Sequence, residues 1–131
     1  MQKEYVLFAL NALKEILKYC PDTIVSQSLR RCMELSERLI YNNENVADEL
    51  YEYLDNEEYG FSVMQENEND NMMIVLLDCI IDSIGIITRY AYDSINQKYY
   101  PEPIELVSKD TYKHLKIALK ELSEYGVNID I

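Results

Sequence analysis

Apolar positions recur along this chain at helical spacing. In "KEYVLFALNALKEILKYC", Val6, Leu10, Leu13 and Leu17 follow one another at intervals of four, three and four, which makes one stripe of a helix that Pro21 ends. Asp22 is placed to cap a second helix, where Val25, Leu29, Cys32, Leu39 and Ile40 roughly keep the period until "YNNEN" breaks it. Val46, Leu50, Tyr53 and Leu54 predict a short third helix ending near "DNEEYG". The next stretch, "FSVMQENENDN", fits either one or two more helical turns or an ordered loop. Asn69 or Asp70 can cap a long run from Asn71 to about Asn96 that is apolar nearly all the way round, the pattern of a central helix covered by its neighbours. "QKYYPEPIELV" predicts a connection, because Pro101 and Pro103 push Tyr100 and Glu102 toward extended backbone. Ser108 opens a last helix with Tyr112, Leu115, Leu119 and Leu122 inside and Gly126 as its stop. The expected fold is all-α: one compact domain over residues 1–131, a bundle of five to six helices around a central apolar one.

Composition agrees with this pattern. A chain of 131 residues, 48% of them apolar, is long enough to bury one core without metal or disulfide staples, and three Gly and three Pro give little punctuation for many short strands. Cys20, Cys32 and Cys79 are odd in number, form no C-x-x-C and sit in apolar helical surroundings, as expected of reduced, buried thiols in the cytoplasm. The opening "MQKEYVLFAL" leads into Asn11, Lys14, Glu15 and Lys18, so it reads as an amphipathic helix rather than a signal peptide. The most apolar segment, "MMIVLLDCIIDSIGII", is broken by two aspartates and falls short of the roughly 20 residues of a membrane span. A soluble, cytoplasmic protein is expected.

Charge changes the picture. The net charge is −12, and twelve of the 24 acids lie between Arg38 and Arg89, where no lysine or arginine occurs; elsewhere 12 acids face 12 bases. The imbalance therefore belongs to one segment, "ENVADELYEYLDNEEYGFSVMQENEND", with Asp78 and Asp82 beyond it. Tyr51, Tyr53, Tyr59, Phe61 and Met64 are set among these acids. Rings offering apolar area with a polar tip, surrounded by charge of one sign, suit a protein-binding surface: rings anchor while carboxylates steer and select. The candidate partner-binding residues are Asp48, Glu49, Glu52, Asp55, Glu57 and Glu58 for steering, with Tyr51, Tyr53, Tyr59 and Phe61 as anchors. Such a surface favours a basic protein and repels nucleic acid and anionic membrane.

Other constellations are weaker. His114 has Asp110 one turn earlier, a pairing expected at a helix surface, and no hydrolase or metalloprotease motif accompanies it. Asp78, Asp82, Gly85 and Arg89 share one stripe of the central helix; they suit either a polar seam in a groove, with Gly85 admitting another backbone, or a narrow face shown to water with Arg89 balancing the aspartates. The second is favoured, because like charges one turn apart are costly to bury without a partner. Glu34 and Glu37, followed by Glu52 and Asp55, resemble the E-E-x-x-E and E-x-x-D motif of the all-α nucleotide pyrophosphohydrolases, in which such pairs hold magnesium. Met33 stands where that motif has its first glutamate, and this alternative is secondary. No catalytic residue, metal or cofactor is expected.

The phrases "ADELYEYLDNEEYGFSV", "LLDCIIDSI" and "YYPEPIELV", in that order in an all-helical chain, resemble the sixth family of bacterial immunity proteins of polymorphic toxin systems. The resemblance spans about residues 40 to 107, or most of the chain with the flanking helices. It implies a non-enzymatic protein that binds and neutralises a cognate toxin domain. It brings no established contact residues with it.

Overall fold

The structure is a computed structural model, and it describes residues 1–21, 23–96 and 99–131. Its elements in chain order are α1 (Lys3–Leu17), α2 (Ile24–Asn42), α3 (Ala47–Asp55), α4 (Phe61–Glu66), α5 (Asn71–Ser94), α6 (Glu102–Glu105) and α7 (Lys109–Ser123), with no strand among the described residues. Five to six helices were expected and the described residues form seven; the helical alternative for the stretch after α3 holds, and the added helix replaces the expected connection before α7. "FSVMQE" supplies α4 and "EPIE" supplies α6. Glu102 is helical although Pro103 follows it, which corrects the extended backbone expected there; Pro103 itself falls in the first turn, where its missing N–H has no partner inside the helix.

α5 is the axis. Its buried residues, among them Val75, Leu76, Cys79, Ile80, Ile84, Ile87 and Ala91, point to several sides, and α1, α3, α4, α6 and α7 pack around it. α2 lies mainly against α1 and α3. At 24 residues and a mean hydropathy of 1.8 in its most apolar window, α5 is long and apolar enough to cross a membrane, which corrects the shorter apolar segment read from sequence. Most of that window is buried against the other helices, as in the core helix of a globular fold.

Local signals explain most boundaries. Thr23 caps α2, with its Oγ1 accepting from the Val25 N–H (3.3 Å) and Ser26 Oγ accepting from the Thr23 N–H (3.2 Å); Asp22, expected in this role, lies outside the described residues. α2 ends on Asn43 in the left-handed region (φ 55°), where the Glu44 N–H reaches back to the Arg38 carbonyl. Asp70 occupies the position before α5 but its carboxylate makes no cap hydrogen bond; a negative charge there still suits the helix dipole. Ser108 caps α7 as expected, and Gly126 takes φ 86° beyond its end. Cys32 and Cys79 are buried, Cys20 is half-buried, and burial pushes all three thiols up, Cys20 to about 11.

Two glycines respond to space in opposite ways. A Cβ on Gly60 would meet the Asn56 carbonyl oxygen at 2.6 Å, the Asn56 nitrogen at 2.7 Å and the Leu54 carbonyl oxygen at 2.8 Å, all backbone atoms. A Cβ on Gly85 would meet only Val107 Cγ2, at an ordinary 3.5 Å. Gly60→Ala should therefore lose about 1–3 kcal/mol of stability by overpacking. Gly85→Ala, inside a helix, should gain about 0.5–1 kcal/mol. Urea denaturation of both variants checks the opposite signs.

Candidate functional site

α3 is amphipathic in the simplest way. Ala47, Leu50 and Leu54 are buried, and Asp48, Glu49, Glu52 and Asp55 are exposed. The helix stops because Asn56 is extended (φ −62°, ψ 131°), and the Asn56 side chain then builds the turn. Its Oδ1 accepts from the backbone N–H of Glu58 (2.8 Å) and of Tyr59 (3.2 Å), while its Nδ2 donates to Glu52 Oε2 (3.0 Å). The Gly60 N–H closes the turn on the Asn56 carbonyl at 2.8 Å. Glu57 and Glu58 are thereby held out beside Glu52 and Asp55, around a shallow concavity of about 460 Å³ that Tyr51 and Asn56 complete.

The tyrosines are tied to the acids. Tyr51 OH donates to Asp55 Oδ2 (2.8 Å), and burial together with that carboxylate pushes its phenol up to about 12. Tyr59 OH donates to Glu52 Oε2 (3.4 Å), and its ring lies 5.7 Å from that of Tyr53 at 60°. Tyr92 OH, from α5, donates to Asp48 Oδ1 (2.7 Å), so Asp48 fastens α3 to the axis as well as facing solvent. Among the described residues, counter-charge reaches the edge of this surface: Arg31 bridges Glu34 (3.0 Å) and Glu49 (3.3 Å), and Arg38 pairs with Glu44 (3.0 Å). Among the described residues, no lysine, arginine or histidine forms an ion pair with Glu52, Asp55, Glu57 or Glu58.

On α5 the stripe Asp78, Asp82, Gly85 and Arg89 is a seam between elements, and the expectation of a simple water-facing stripe is corrected. Asp78 accepts from Gln65 Nε2 (2.6 Å) on α4, and Asp82 Oδ2 lies 2.5 Å from His114 Nδ1 on α7. Arg89 does not balance these aspartates. Its Nη1 donates to the carbonyls of Ile104 (3.4 Å), Glu105 (3.2 Å) and Val107 (3.4 Å) at the end of α6, its Nε to Asp93 (3.3 Å), and its guanidinium stacks 4.0 Å from the Tyr100 ring. His114 thus pairs across helices with Asp82 rather than with Asp110.

The sequence model of the family described as immunity protein Imm6 matches residues 4–125. The chain belongs to the Imm6 family of immunity proteins. No curated protein and no solved structure matches it. Imm6 membership extends the resemblance beyond residues 40–107 to nearly the whole chain, and it makes a toxin the partner this fold must be understood against.

For this Imm6 chain, the structure brings most of the sequence-predicted surface together and removes one residue from it. Asp48, Glu49, Glu52, Asp55, Glu57 and Glu58 are exposed, Tyr59 is 38% exposed, and Tyr51 and Tyr53 are half-buried. Phe61 is 0% exposed: as the first residue of α4 it turns inward and fills the core, so it does not serve as a surface anchor. The four carboxylates of the pyrophosphohydrolase alternative do not converge. Glu37 faces Lys14, Glu34 faces Arg31, Glu52 meets Asn56 and Tyr59, and Asp55 meets Tyr51. No group of three or more His, Cys, Asp or Glu among the described residues is arranged to hold a metal ion. Sequence reasoning missed Asn56 and Gly60 as builders of the turn; the run "DNEEYG", an Asx-turn residue followed four positions later by glycine, carried the signal.

Two outcomes follow. Phe61→Ala should cost about 3–5 kcal/mol in urea denaturation, the loss of a core phenylalanine. The hydrogen bond and charge of Asp82 raise the His114 pKa above its ordinary 6.5, while burial, opposed by His114, holds the Asp82 carboxyl above its own usual range. A raised histidine contributes its stability fully below about pH 6.5 and loses it as pH climbs through the folded-state value. Wild type should accordingly lose more stability than Asp82→Asn across that window, and the imidazole NMR titration should move down in the variant.

Proposed function

We propose that this protein neutralises a cognate toxin domain by laying the acidic outer face of α3, and the turn after it, on a basic surface of that toxin. One observation carries the proposal. Glu52, Asp55, Glu57 and Glu58 project together without an ion-pairing base among the described residues, on a turn whose backbone Asn56 and Gly60 hold in place. Concentrated negative charge that is not internally compensated raises the rate at which a positively charged partner arrives and excludes anionic competitors. Toxins that act on nucleic acid need positive surfaces for phosphate. Covering such a surface blocks substrate by bulk and charge and requires no chemistry from the inhibitor. Tyr59, with Tyr53 behind it, adds an aromatic edge to the charged face.

This mode of inhibition puts the effect of charge into association. Converting Glu52, Asp55 and Glu58 to lysine should slow association with the cognate toxin by about tenfold or more at low salt, with a smaller change in dissociation. The wild-type rate should fall steeply with ionic strength and the variant's should not. Binding kinetics on immobilised toxin at several salt concentrations test this. Unchanged affinity and an unchanged salt slope would reduce the acids to a solvated face.

A further inference from the structure

Charge steers association, but the affinity of a protein complex usually comes from a few side chains seated in desolvated pockets. The acidic face offers little for that purpose. Tyr51 and Tyr53 are half-buried, the hydroxyls of Tyr51 and Tyr59 are engaged by Asp55 and Glu52, and Phe61 is in the core. Next to it lies a different kind of surface. A groove of about 230 Å³ runs between α3, α5 and α6, with Leu54, Ile81, Gly85 and Ile104 along its floor. Gly85 adds no side chain to the floor, where a Cβ would stand in ordinary contact with Val107 Cγ2 at 3.5 Å. Leu106 forms one lip and is 76% exposed, the most exposed large apolar residue among those described.

Two acids are placed where an apolar side chain entering this groove would bring its neighbours. Asp82 lines the groove from α5. Asp55 lines both the groove and the concavity of the acidic face, so the two surfaces share a carboxylate and form one continuous patch. His114 engages one oxygen of Asp82, and no basic residue lines the groove among the described residues.

We propose that this groove is the anchor site of the toxin, taking one aliphatic side chain of a segment in which that residue is flanked by lysine or arginine. The proposal rests on the inhibitor function above and gives that function its apolar anchor. The aliphatic group covers Ile81 and Ile104 and packs against Leu106. The flanking cations meet Asp55 on one side and Asp82 on the other. A second copy of the chain is the competing occupant, because α7 carries exposed Lys109, Lys113, Lys116 and Lys120 that suit the same acids.

Methyl and amide NMR titrations with three blocked tripeptides separate these possibilities: acetyl-Lys-Leu-Lys-amide, acetyl-Lys-Gly-Lys-amide and acetyl-Glu-Leu-Glu-amide. The expected result is saturable shifts of the Ile81, Ile104 and Val107 methyls with the first peptide. Binding should be about tenfold weaker with the glycine peptide, which lacks the side chain to bury, and undetectable with the acidic one. Leu106→Ser, at an exposed position that leaves the fold intact, should weaken the first peptide severalfold without altering the second. Equal binding of the leucine and glycine lysine peptides, with shifts confined to α3 and the Asn56–Gly60 turn, would overturn the groove and leave the acidic inhibitor surface standing. Absence of shifts from both lysine peptides at low salt would overturn the groove and remove the support for a basic partner as well. Groove shifts that grow with protein concentration in the absence of peptide would assign the groove to a second copy and overturn the proposal.

Discussion

A helix that is apolar nearly all the way round must be covered on every side, and α5 sets that requirement for the whole molecule. Each neighbour is defined by what it places against the axis: α1 gives Val6, Leu10 and Leu13, α3 gives Leu50 and Leu54, α4 gives Phe61, and α7 gives Leu115 and Leu122. The hydrophobic effect is not directional, so it dictates coverage more than connectivity. Close packing then selects among the coverings, and the turn at Gly60, where backbone fills the space a side chain would need, shows how little slack remains.

Covering an axis leaves each neighbour with an outer face that packing does not constrain. α3 buries only three residues of its nine, which frees the rest of its surface to accumulate carboxylates. Those charges repel one another. Part of that repulsion is offset locally by donors that carry no full charge: the Tyr51, Tyr59 and Tyr92 hydroxyls and the Asn56 amide. Neutral donors hold carboxylates in position without cancelling their field, and a surface meant to attract a cationic partner needs both properties.

The same logic separates α3 from the seam on α5. Acids on the seam are partly buried and so have partners from other elements, Gln65 for Asp78 and His114 for Asp82. Arg89 does a different task again, donating to three carbonyls at the end of α6, of which that of Ile104 also accepts from the Val107 N–H. Position relative to the axis, rather than residue type, decides which partners a charge finds within the fold.

Much of this was legible in the sequence. The period of Val6, Leu10 and Leu13, the all-round apolarity after Asn71 and the Ser108 cap depend on neighbours within a few residues of each other, and local geometry transmits them directly into structure. Segregation of charge between Arg38 and Arg89 is likewise a property of the chain, and it located the acidic surface together with the family resemblance in the same stretch. Other features required the fold. Phe61 and Tyr59 stand two residues apart in one acidic run, yet one fills the core and the other faces solvent, because α4 begins at Phe61 and turns it inward. His114 meets Asp82, 32 positions away, and Asp55 comes to border a groove made by α5 and α6. Sequence determined which segments form helices and where the negative charge lies, since both follow from local composition and spacing. Only tertiary structure decided which rings are exposed, which acids are paired and which apolar surface remains open, because each depends on what the remaining helices bring to that point in space.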